Sequence, residues 1–330
     1  MILPINETTI RLAVEALEEG LCIGLPTETV YGLAGDGLNP LAVARIFEAK
    51  NRPAFDPLIL HVASDYDLLK IVSSVPLVAQ ELIKKYWPGP LTLILPKNDC
   101  VPDLVTSGLP SVAVRCPDHA VAQQVLALFG KPLAAPSANL FGRLSPTSAA
   151  AVDEELHDRI AMTLDGGACR MGLESTIVDV STKPVRVLRL GALSLEALQD
   201  ICGELEVITQ SMIVSPGMLD HHYAPQTPLY LCEIMEHGLE LKPQGSRLLF
   251  FTKKGDWAGD FSLCENGDLK EAAANLFSRL RELDQAGASM ILAECVPDEG
   301  LGRAINDRLK KASTGTASWN GLSWDLKARL

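Results

Sequence analysis

Two basic residues occupy positions at which the backbone fixes them. Lys50 ends a predicted helix that begins at Asn39–Pro40, and Arg52 is followed by Pro53, which disfavours helical backbone at Arg52. A lysine near a helix C-terminus is ordinary compensation of the helix dipole, but this does not account for Arg52. Arginine binds phosphate through two parallel hydrogen bonds and lysine binds it as a point charge. The pair therefore suits a polyphosphate.

A histidine and an arginine form a second candidate site. His61 lies in a predicted strand, 58–63, and Arg115 lies near the end of another, 112–116. A single histidine in a strand is more often structural than ligand-binding. If the two strands are neighbours, however, their ends place two cationic or donor groups side by side. Such a pair would hold a small carboxylate.

Three polar turns each allow a structural and a functional interpretation. The segment 26–33 (PTETVYGL) follows a predicted strand, and its threonines and Glu28 either satisfy backbone donors or contact a ligand. The segment 135–139 (APSAN) ends a strand with small residues that let a flat ligand approach the backbone, or it is a simple Asx or Ser turn. The segment 174–176 (EST) opens a strand with the same ambiguity.

Common nucleotide, hydrolase and metal motifs are absent from the sequence. Gly130–Lys131 is followed by proline, which excludes a P-loop, and Gly35–Gly37 lacks the third glycine of a dinucleotide fingerprint. No HExxH, GxSxG or CxxC occurs, and His221–His222 have no acid or cysteine at metal-ligand spacing, so no protein-bound metal is expected. The 8 cysteines occur singly, which is typical of buried thiols in a reducing compartment.

The strands and helices predicted around these residues indicate an α/β protein of the α+β type. Several strands follow one another without helices between them, which favours a mixed, partly antiparallel twisted sheet over a doubly wound one. The predicted strands are 21–25, 58–63, 91–95, 112–116, 133–135, 162–164, 176–180 and 185–190, and the predicted helices are 39–50, 76–86, 119–129 and 195–202.

A segment rich in proline, 211–228, shows little periodicity and is predicted to be a linker that could fold over a site as a lid. It separates a catalytic domain, 1–210, from a smaller α/β domain, 229–330. An amphipathic helix is predicted over 269–286 in this second domain, with Gly287 as its stop. The stretch 313–330 has no convincing periodicity and is expected to fray.

The charge and hydropathy of the chain exclude some classes of protein. The 330 residues carry a net charge of −12, and residues 1–215 hold 16 basic and 25 acidic residues, a net −9. This balance disfavours a dedicated nucleic-acid binder. The start of the sequence has no apolar region typical of a secretory signal, and no apolar run is long enough to span a bilayer. These features predict a cytoplasmic protein with no membrane partner.

Taken in order, the motifs of the chain resemble those of the threonylcarbamoyl-AMP synthases in their long, two-domain form. The resemblance implies a YrdC-type catalytic domain, a linker and a small Rossmann-like C-terminal domain. It implies a nucleotidyltransferase that makes threonylcarbamoyl-AMP and pyrophosphate from L-threonine, bicarbonate and ATP with Mg²⁺. The product would go to the proteins that transfer the threonylcarbamoyl group to tRNA. The motifs are PTETVYGL (26–33), KNRP (50–53), DPLILHV (56–62), WPGPLTLIL (87–95), VAVRCP (112–117), APSAN (135–139), ESTIVDV (174–180), VLRLG (187–191) and SPGM with HHYAP (215–225).

The resemblance also assigns roles to individual residues. Lys50 and Arg52 are the expected catalytic residues. Asp56 stands where many relatives have asparagine, and an acid near a triphosphate is expected to face the ribose or to share a magnesium ion. The residues expected to bind threonine are Thr29, His61, Arg115, Ala135 and Ser175, and those expected to bind ATP are Lys50, Arg52, Asp56, Ser111, Ser137, Asn139, Ser145, Arg189 and Tyr223.

Other functions are alternatives to the synthase activity. YrdC-type domains have a concave basic face, so an RNA-binding or ribosome-associated module, with a weak RNA contact, is the main alternative. The negative first half and the set of Thr29, His61 and Arg115 argue against it. Carbamoyl transfer for metallocentre maturation would require acylphosphatase and zinc-finger parts, which the cysteine spacing excludes. The second domain shows no chemistry of its own and could be a docking platform.

Overall fold

In the computed structural model, which describes residues 1–208, 223–232, 239–254 and 260–329, an eleven-stranded sheet runs through the first part of the chain. Its strands are β1 (Ile2–Pro4), β2 (Ile23–Leu25), β3 (Gly32–Asp36), β4 (Ile59–His61), β5 (Leu91–Pro96), β6 (Ser111–Arg115), β7 (Leu133–Ala134), β8 (Met162–Asp165), β9 (Thr176–Asp179), β10 (Val185–Arg189) and β11 (Leu205–Val207). They lie in the order β1-β8-β2-β3-β7-β4-β6-β5-β9-β10-β11. Strand β6 is parallel to β4 and antiparallel to β5, so the predicted mixed sheet is confirmed.

Seven helices accompany this sheet in the described part of the chain: α1 (Glu7–Glu18), α2 (Pro40–Lys50), α3 (Leu77–Tyr86), α4 (Asp103–Thr106), α5 (Ala120–Phe129), α6 (Ala149–Leu156) and α7 (Leu195–Cys202). The predicted start of α2 is confirmed, since the Asn39 side chain accepts a hydrogen bond from the backbone N–H of Leu41 and Pro40 is the first helical residue. The helix ends at Lys50 because Asn51 takes the left-handed conformation, with φ 52°.

Apolar clusters hold these helices to the sheet. Val43 and Ile46 of α2 belong to the same buried cluster as Leu60 of β4 and Val114 of β6. A second cluster joins α1 and α5 to β2 and β8. Each fully buried aliphatic side chain contributes about 1.5–3 kcal/mol to folding. Helix α2 and strands β4 and β6 are thereby fixed relative to one another.

The second part of the chain contains a six-stranded sheet. Its strands are β12 (Leu229–Cys232), β13 (Ser246–Thr252), β14 (Phe261–Cys264), β15 (Met290–Glu294), β16 (Gly315–Trp319) and β17 (Trp324–Ala328), and its helices are α8 (Leu269–Gln285) and α9 (Gly302–Ala312). The strand order is β14-β13-β15-β12-β16-β17. The predicted helix over 269–286 is confirmed, with Leu276, Phe277 and Leu280 buried on its apolar stripe.

The expectation that residues 313–330 fray is wrong. Strands β16 and β17 pair along five residues each, from Gly315 opposite Ala328 to Trp319 opposite Trp324. Gly315 lets the strands approach closely, because a Cβ at this position would lie 2.0 Å from the carbonyl oxygen of Lys327. Strand β17 lies at the sheet edge and is largely exposed, so its sequence carries little of the apolar alternation that predicts a strand.

The chain divides into two compact units. The first comprises Met1–Phe141 and Ser145–Leu219, and the second comprises Gly142–Leu144 and Asp220–Leu330. Within the predicted linker, residues 211–222 lie outside the described residues, whereas 223–228 belong to the second unit. No helix in the described residues is long and apolar enough to cross a membrane.

The eight cysteines are free thiols. Five are buried and two are partly buried, but Cys100 is exposed, so the expectation of uniformly buried thiols is wrong at that position.

Candidate active site

Lys50 is held inside the first unit at the end of α2. Its side chain is 1% exposed, and its Nζ donates hydrogen bonds to the carbonyl oxygens of Ser137 and Asn139, each at 2.5 Å. Burial lowers the pKa of Lys50 well below its usual value, and the charge of Arg52 acts in the same direction. An ammonium group has three donors, and an anion beside it would favour its charged form. The position therefore suits a phosphate oxygen.

Arg52, which follows Asn51 in the sequence, is held by hydrogen bonds from its backbone and its guanidinium group. Its backbone N–H donates to the carbonyl of Phe47, and its Nε and Nη2 donate to the carbonyls of Asp56 and Pro57 at 3.1 and 2.9 Å. Its Nη2 also lies 2.8 Å from Oδ2 of Asp56. The guanidinium group therefore has a fixed orientation, as the sequence predicted for a residue pinned before a proline.

Asp56 is surrounded by positive charge. Burial raises the pKa of the Asp56 carboxyl group, and the nearby charges of Arg52, Lys50 and Arg189 oppose this shift. The described residues contain no group of three His, Cys, Asp or Glu side chains that could hold a metal ion. Asp56 thus compensates the cations of this site through a direct ion pair with Arg52.

His61 and Arg115 are neighbours, which confirms their expected juxtaposition. In the parallel pair of β4 and β6, His61 lies opposite Arg115. Because residues two apart share one face of a strand, they extend a face that begins with Ile59 and Ala113. These two residues belong to a small buried cluster with Ile94, Ile177 and Leu188. The polar pair therefore stands at the end of an apolar floor.

His61 is uncharged, which corrects the expectation that it acts as a second cation or donor for a carboxylate. Burial lowers the pKa of His61 to about 3, and the charges of Arg115 and Arg189 add to the shift. Its Nδ1 lies 3.3 Å from the carbonyl oxygen of Ile59, so this nitrogen carries the proton. The other ring nitrogen, Nε2, is then an acceptor. The residue suits a substrate O–H or N–H, and Arg115 remains for a carboxylate.

Thr92 and Ser175 continue the polar face across the next strands. Thr92 lies opposite Arg115 in the antiparallel pair of β5 and β6, and its Oγ1 is 2.7 Å from Oγ of Ser175. Arg189 donates to the carbonyl oxygen of Ser175 from Nε and Nη2, and to its Oγ from Nη2 at 3.1 Å. Arg189 also influences the pKa values of both Asp56 and His61, so it lies near both candidate sites.

In the turn at 26–33, some polar side chains satisfy backbone groups, and others keep atoms that could contact a ligand. The Thr27 Oγ1 donates to the carbonyl of Val30, accepts the backbone N–H of Thr29, and lies 2.9 Å from the Thr29 hydroxyl. Because Thr27 uses its only proton on Val30, the Thr29 hydroxyl is the donor in this pair and keeps its lone pairs as acceptors. Glu28 does not satisfy backbone donors: its Oε1 lies 2.7 Å from Nη2 of Arg115.

The segment 135–139 lies beside Lys50. Ala135 is buried, and its backbone N–H donates to the carbonyl of Ile59. The carbonyls of Ser137 and Asn139 bind Lys50, and the Asn139 Nδ2 donates to the carbonyl of Leu140 at 2.7 Å. This turn therefore connects the Lys50 site to the strand that carries His61.

The structure also gives the surroundings of three further residues that are expected to bind ATP. The fully buried Ser145 donates from its Oγ to Oε1 of Glu174 at 2.5 Å. Ser111 is half-buried at the start of β6, at the opposite end of that strand from Arg115. Tyr223 belongs to the second unit, where its ring lies 5.6 Å from that of Phe277 and 4.9 Å from the guanidinium carbon of Arg308. The predicted lid role of the linker stays a prediction.

Thr92 and the link between Glu28 and Arg115 were not predicted from the sequence. Thr92 lies in the motif WPGPLTLIL, which indicates an apolar strand, and its place opposite Arg115 is seen only when β5 pairs with β6. A threonine among apolar residues of a strand was the available signal. For Glu28, the signal was an acid in an otherwise uncharged turn that follows a buried strand.

Comparison with known proteins gives one consistent result. A family model described as telomere recombination (Sua5, YciO and YrdC) matches residues 15–191, and one described as the C-terminal domain of threonylcarbamoyl-AMP synthase matches 193–314. The chain is 41% identical to the threonylcarbamoyl-AMP synthase of Pyrococcus abyssi, over 94% of this chain and 95% of the relative. It is 39% identical to the enzyme of that name from Bacillus subtilis, over 94% of each chain.

A solved structure gives the same match in three dimensions. The crystal structure of P. abyssi Sua5 complexed with L-threonine aligns with a TM-score of 0.88 at 39% identity, over 95% of this chain and 97% of that one. The two matched family models together span most of the sequence. The chain therefore belongs to the threonylcarbamoyl-AMP synthase family, in its form with both the YrdC-type and the C-terminal domain.

Proposed function

We propose that this protein is an L-threonylcarbamoyladenylate synthase, a nucleotidyltransferase that converts L-threonine, bicarbonate and ATP to threonylcarbamoyl-AMP and pyrophosphate. The curated relatives that carry this name match nearly the whole chain. A similar structure contains L-threonine. The geometry supports the proposal because a polar face with His61, Arg115 and Thr92 lies close to the turn that binds Lys50.

The threonine site is formed by residues at the ends of β4, β6 and β9. Arg115 binds the substrate carboxylate through its guanidinium group, which lies beside His61 and Thr92 on neighbouring strands. His61 accepts a hydrogen bond through Nε2, and Thr29 accepts one through its hydroxyl. Ser175 is held by Thr92 and Arg189, and Ala135 leaves room for the substrate backbone.

The ATP site is formed around Lys50 and Arg52. Both side chains are held by backbone carbonyls, so they meet the phosphates without reorganisation. Mg²⁺ enters as part of the MgATP substrate and neutralises phosphate charge. Asp56 keeps Arg52 in position through their ion pair. The residues proposed to contact the rest of ATP are Ser111, Ser137, Asn139, Ser145, Arg189 and Tyr223.

The reaction needs no covalent intermediate with the protein. The neutral amine of threonine forms a C–N bond to the carbon of carbon dioxide or bicarbonate and becomes a carbamate. With carbon dioxide the amine nitrogen releases one proton, and with bicarbonate that proton leaves together with the hydroxyl group as water. A carbamate oxygen then attacks the α-phosphorus of ATP, and the bond to the β-phosphate oxygen breaks to release pyrophosphate. The protein positions the reactants and stabilises phosphate charge. Exclusion of water protects the mixed anhydride from hydrolysis.

The observation that carries this proposal is the turn 135–139, which contacts both sites. The carbonyl oxygens of Ser137 and Asn139 accept hydrogen bonds from Lys50, and the backbone N–H of Ala135 donates to the carbonyl of Ile59 in the strand that carries His61. A carboxylate bound at Arg115 and a polyphosphate bound at Lys50 and Arg52 would therefore share one reaction space. This arrangement is what a reaction between an amino acid and a nucleotide requires.

The direct test is pyrophosphate release from ATP, with threonine and bicarbonate added separately and together. Release should require both, and should fall by at least about a hundredfold in Arg52→Ala and Arg115→Ala, because each removes a charge-assisted contact to substrate. Arg186→Ala is the matched control, since Arg186 lies on β10 but is exposed and pairs with Glu206. Absence of release in a folded wild-type protein would contradict the proposal.

The wider role follows from the product. We infer that threonylcarbamoyl-AMP passes to proteins that transfer the threonylcarbamoyl group to tRNA, and that the protein works in the cytoplasm where tRNA is modified. The eight free thiols are consistent with a reducing compartment.

A further inference from the structure

Glu28 is a buried carboxylate whose hydrogen-bonding capacity is not used. Its side chain is 0% exposed, and its Oε1 lies 2.7 Å from Nη2 of Arg115. Among the described residues, neither Oε1 nor Oε2 accepts a hydrogen bond of good geometry, and Nη2 of Arg115 donates none. A carboxylate has about four acceptor positions, and a buried polar group without partners is costly. The pair therefore has donors and acceptors available for a third party.

Among the described residues, Glu28 forms a direct ion pair with Arg115 and with no other cation. Besides Arg115, the titratable groups that respond to its charge are His119 and the thiols of Cys116 and Cys169. Burial lowers the pKa of His119 and raises the pKa of both thiols, so all three favour their neutral forms at pH 7. Glu28 and Arg115 thus form a pair of opposite charges with open hydrogen-bonding positions.

An α-amino acid carries the same two charges in its zwitterionic form. Its carboxylate complements Arg115, and its ammonium group complements Glu28. His61 Nε2 and the Thr29 hydroxyl are also acceptors, but they are neutral, and only Glu28 adds the Coulomb attraction of an opposite charge to the hydrogen bond. We propose that Glu28 is the subsite for the ammonium group of the amino-acid substrate. The inference rests on the proposed function and extends it.

This subsite would determine which acids the enzyme accepts. The nitrogen is the atom that becomes the carbamate, so a site that recognises only the carboxylate would also admit hydroxy acids, which cannot react at nitrogen. Glu28 would exclude them, because a 2-hydroxy acid leaves the carboxylate of Glu28 without a cationic partner. A purely structural Glu28, which only orients Arg115, predicts no such discrimination.

The two roles are separated by measuring binding of two ligands by calorimetry. The ligands are L-threonine and its analogue in which a hydroxyl group replaces the amine, and the proteins are the wild type and Glu28→Gln. We expect the wild type to prefer threonine at least about tenfold, and Glu28→Gln to lose about ten- to a hundredfold in threonine affinity. Its affinity for the analogue should change less than about threefold.

Asp36→Asn is the matched control. Like Glu28, Asp36 is a buried acid that pairs with a cation, in this case Lys131, and it lies at the end of β3 in the eleven-stranded sheet. It should bind both ligands like the wild type. Equal weakening of both ligands by Glu28→Gln would overturn the proposal in favour of a structural role, and so would unchanged binding of both. Failure of the wild type to bind threonine would instead contradict the proposed function.

Two measurements keep the proposal testable if Glu28→Gln does not fold. The wild type alone must discriminate between the two ligands, and equal affinities would overturn the proposal. Glu28→Asp keeps the charge on a shorter side chain. It should bind threonine more weakly than the wild type but retain the preference over the hydroxy analogue, and a lost preference would count against the ammonium subsite.

Discussion

At the scale of single residues, burial decides the charge state of the groups in the site. His61 is neutral because burial and two nearby arginines lower its pKa to about 3. Lys50 is also buried, but the acidic groups Glu155 and Asp56 partly oppose the shift in its pKa. The result is a site with a neutral acceptor at one end and cations that await an anion at the other. Both features agree with the proposal that an amino acid binds beside a polyphosphate.

The neutral state of His61 makes the stability of the protein depend on pH. An unfolded histidine protonates near pH 6.5, so between about pH 6.5 and 3 the unfolded state binds more protons, and stability falls as the pH falls. His61→Gln removes this contribution. The decrease in the free energy of unfolding from pH 7 to pH 4 should be smaller in the variant by on the order of 3 kcal/mol, as measured by urea unfolding.

His157→Gln is the control for this measurement, because His157 lies on the surface. Its urea curves should respond to pH almost as those of the wild type do. If His61→Gln and the wild type lose equal stability between pH 7 and pH 4, the neutral assignment of His61 is wrong.

The ion pair between Arg52 and Asp56 should be strongly coupled. Both side chains are at most 3% exposed, so removal of one partner leaves a buried charge without compensation. Asp56→Asn and Arg52→Met should each lower the free energy of unfolding by about 3–5 kcal/mol. The double variant should lose less than the sum, by about 1–3 kcal/mol, in chemical denaturation. Additive losses would show that the pair is not coupled.

The sequence predicted part of this site for a physical reason. Lys50, Arg52, His61 and Arg115 stand at ends of regular elements, where a local pattern already fixes position. The protonation state of His61 could not be predicted, because it depends on burial and on Arg189, which lies far away in the sequence. The contact of Glu28 with Arg115 likewise depends on how distant segments meet.

At the scale of secondary-structure elements, the end of α2 aims the two cations. Asn51 has φ 52°, in the left-handed region, and this reversal lets Lys50 and Arg52 both turn inward. Asn51→Val should destabilise the fold by about 1–2 kcal/mol and raise the KM for ATP, because a β-branched residue is strained in this conformation. Thermal unfolding and the kinetics of pyrophosphate release measure the two effects.

Asn51→Gly is the matched variant, since glycine adopts the left-handed conformation without strain. It loses a contact from Arg159 at 3.3 Å but keeps the turn, so its KM for ATP should stay close to that of the wild type. Equal effects of valine and glycine would show that the side chain of Asn51, and not the turn, is what matters.

Elements with strong local signals were predictable, and others were not. The Asn39–Pro40 start and the apolar face of α2 predict that helix almost to the residue. Helix α1 was not predicted, although Asn6 and Thr9 form a capping box at its start. The hairpin of β16 and β17 could not be predicted, because its pairing depends on close approach at Gly315 and not on an apolar pattern.

At the scale of the whole molecule, positive and negative charges are equal in number in the interior of the first unit, and its surface carries an excess of acidic groups. The buried cations Lys50, Arg52, Arg115 and Arg189 are matched by the buried acids Glu28, Asp36, Asp56 and Glu174. Burial therefore removes four charges of each sign, and the net −9 of residues 1–215 remains on accessible groups. The cations proposed to bind phosphate are buried and are not part of an exposed basic surface.

This distribution predicts that the protein does not retain tRNA by itself. Non-specific binders have dissociation constants of about 10⁻⁴ to 10⁻⁶ M at physiological salt because their surface cations release counterions from phosphates. With an acidic surface, fluorescence anisotropy with labelled tRNA should show no saturable binding below about 10⁻⁴ M at 150 mM salt. The same preparation should release pyrophosphate, which establishes that it is active. Micromolar binding that weakens steeply with salt, and with which ATP does not compete, would instead support the RNA-binding alternative. Such binding would require a basic surface, which the negative charge of the first unit does not supply.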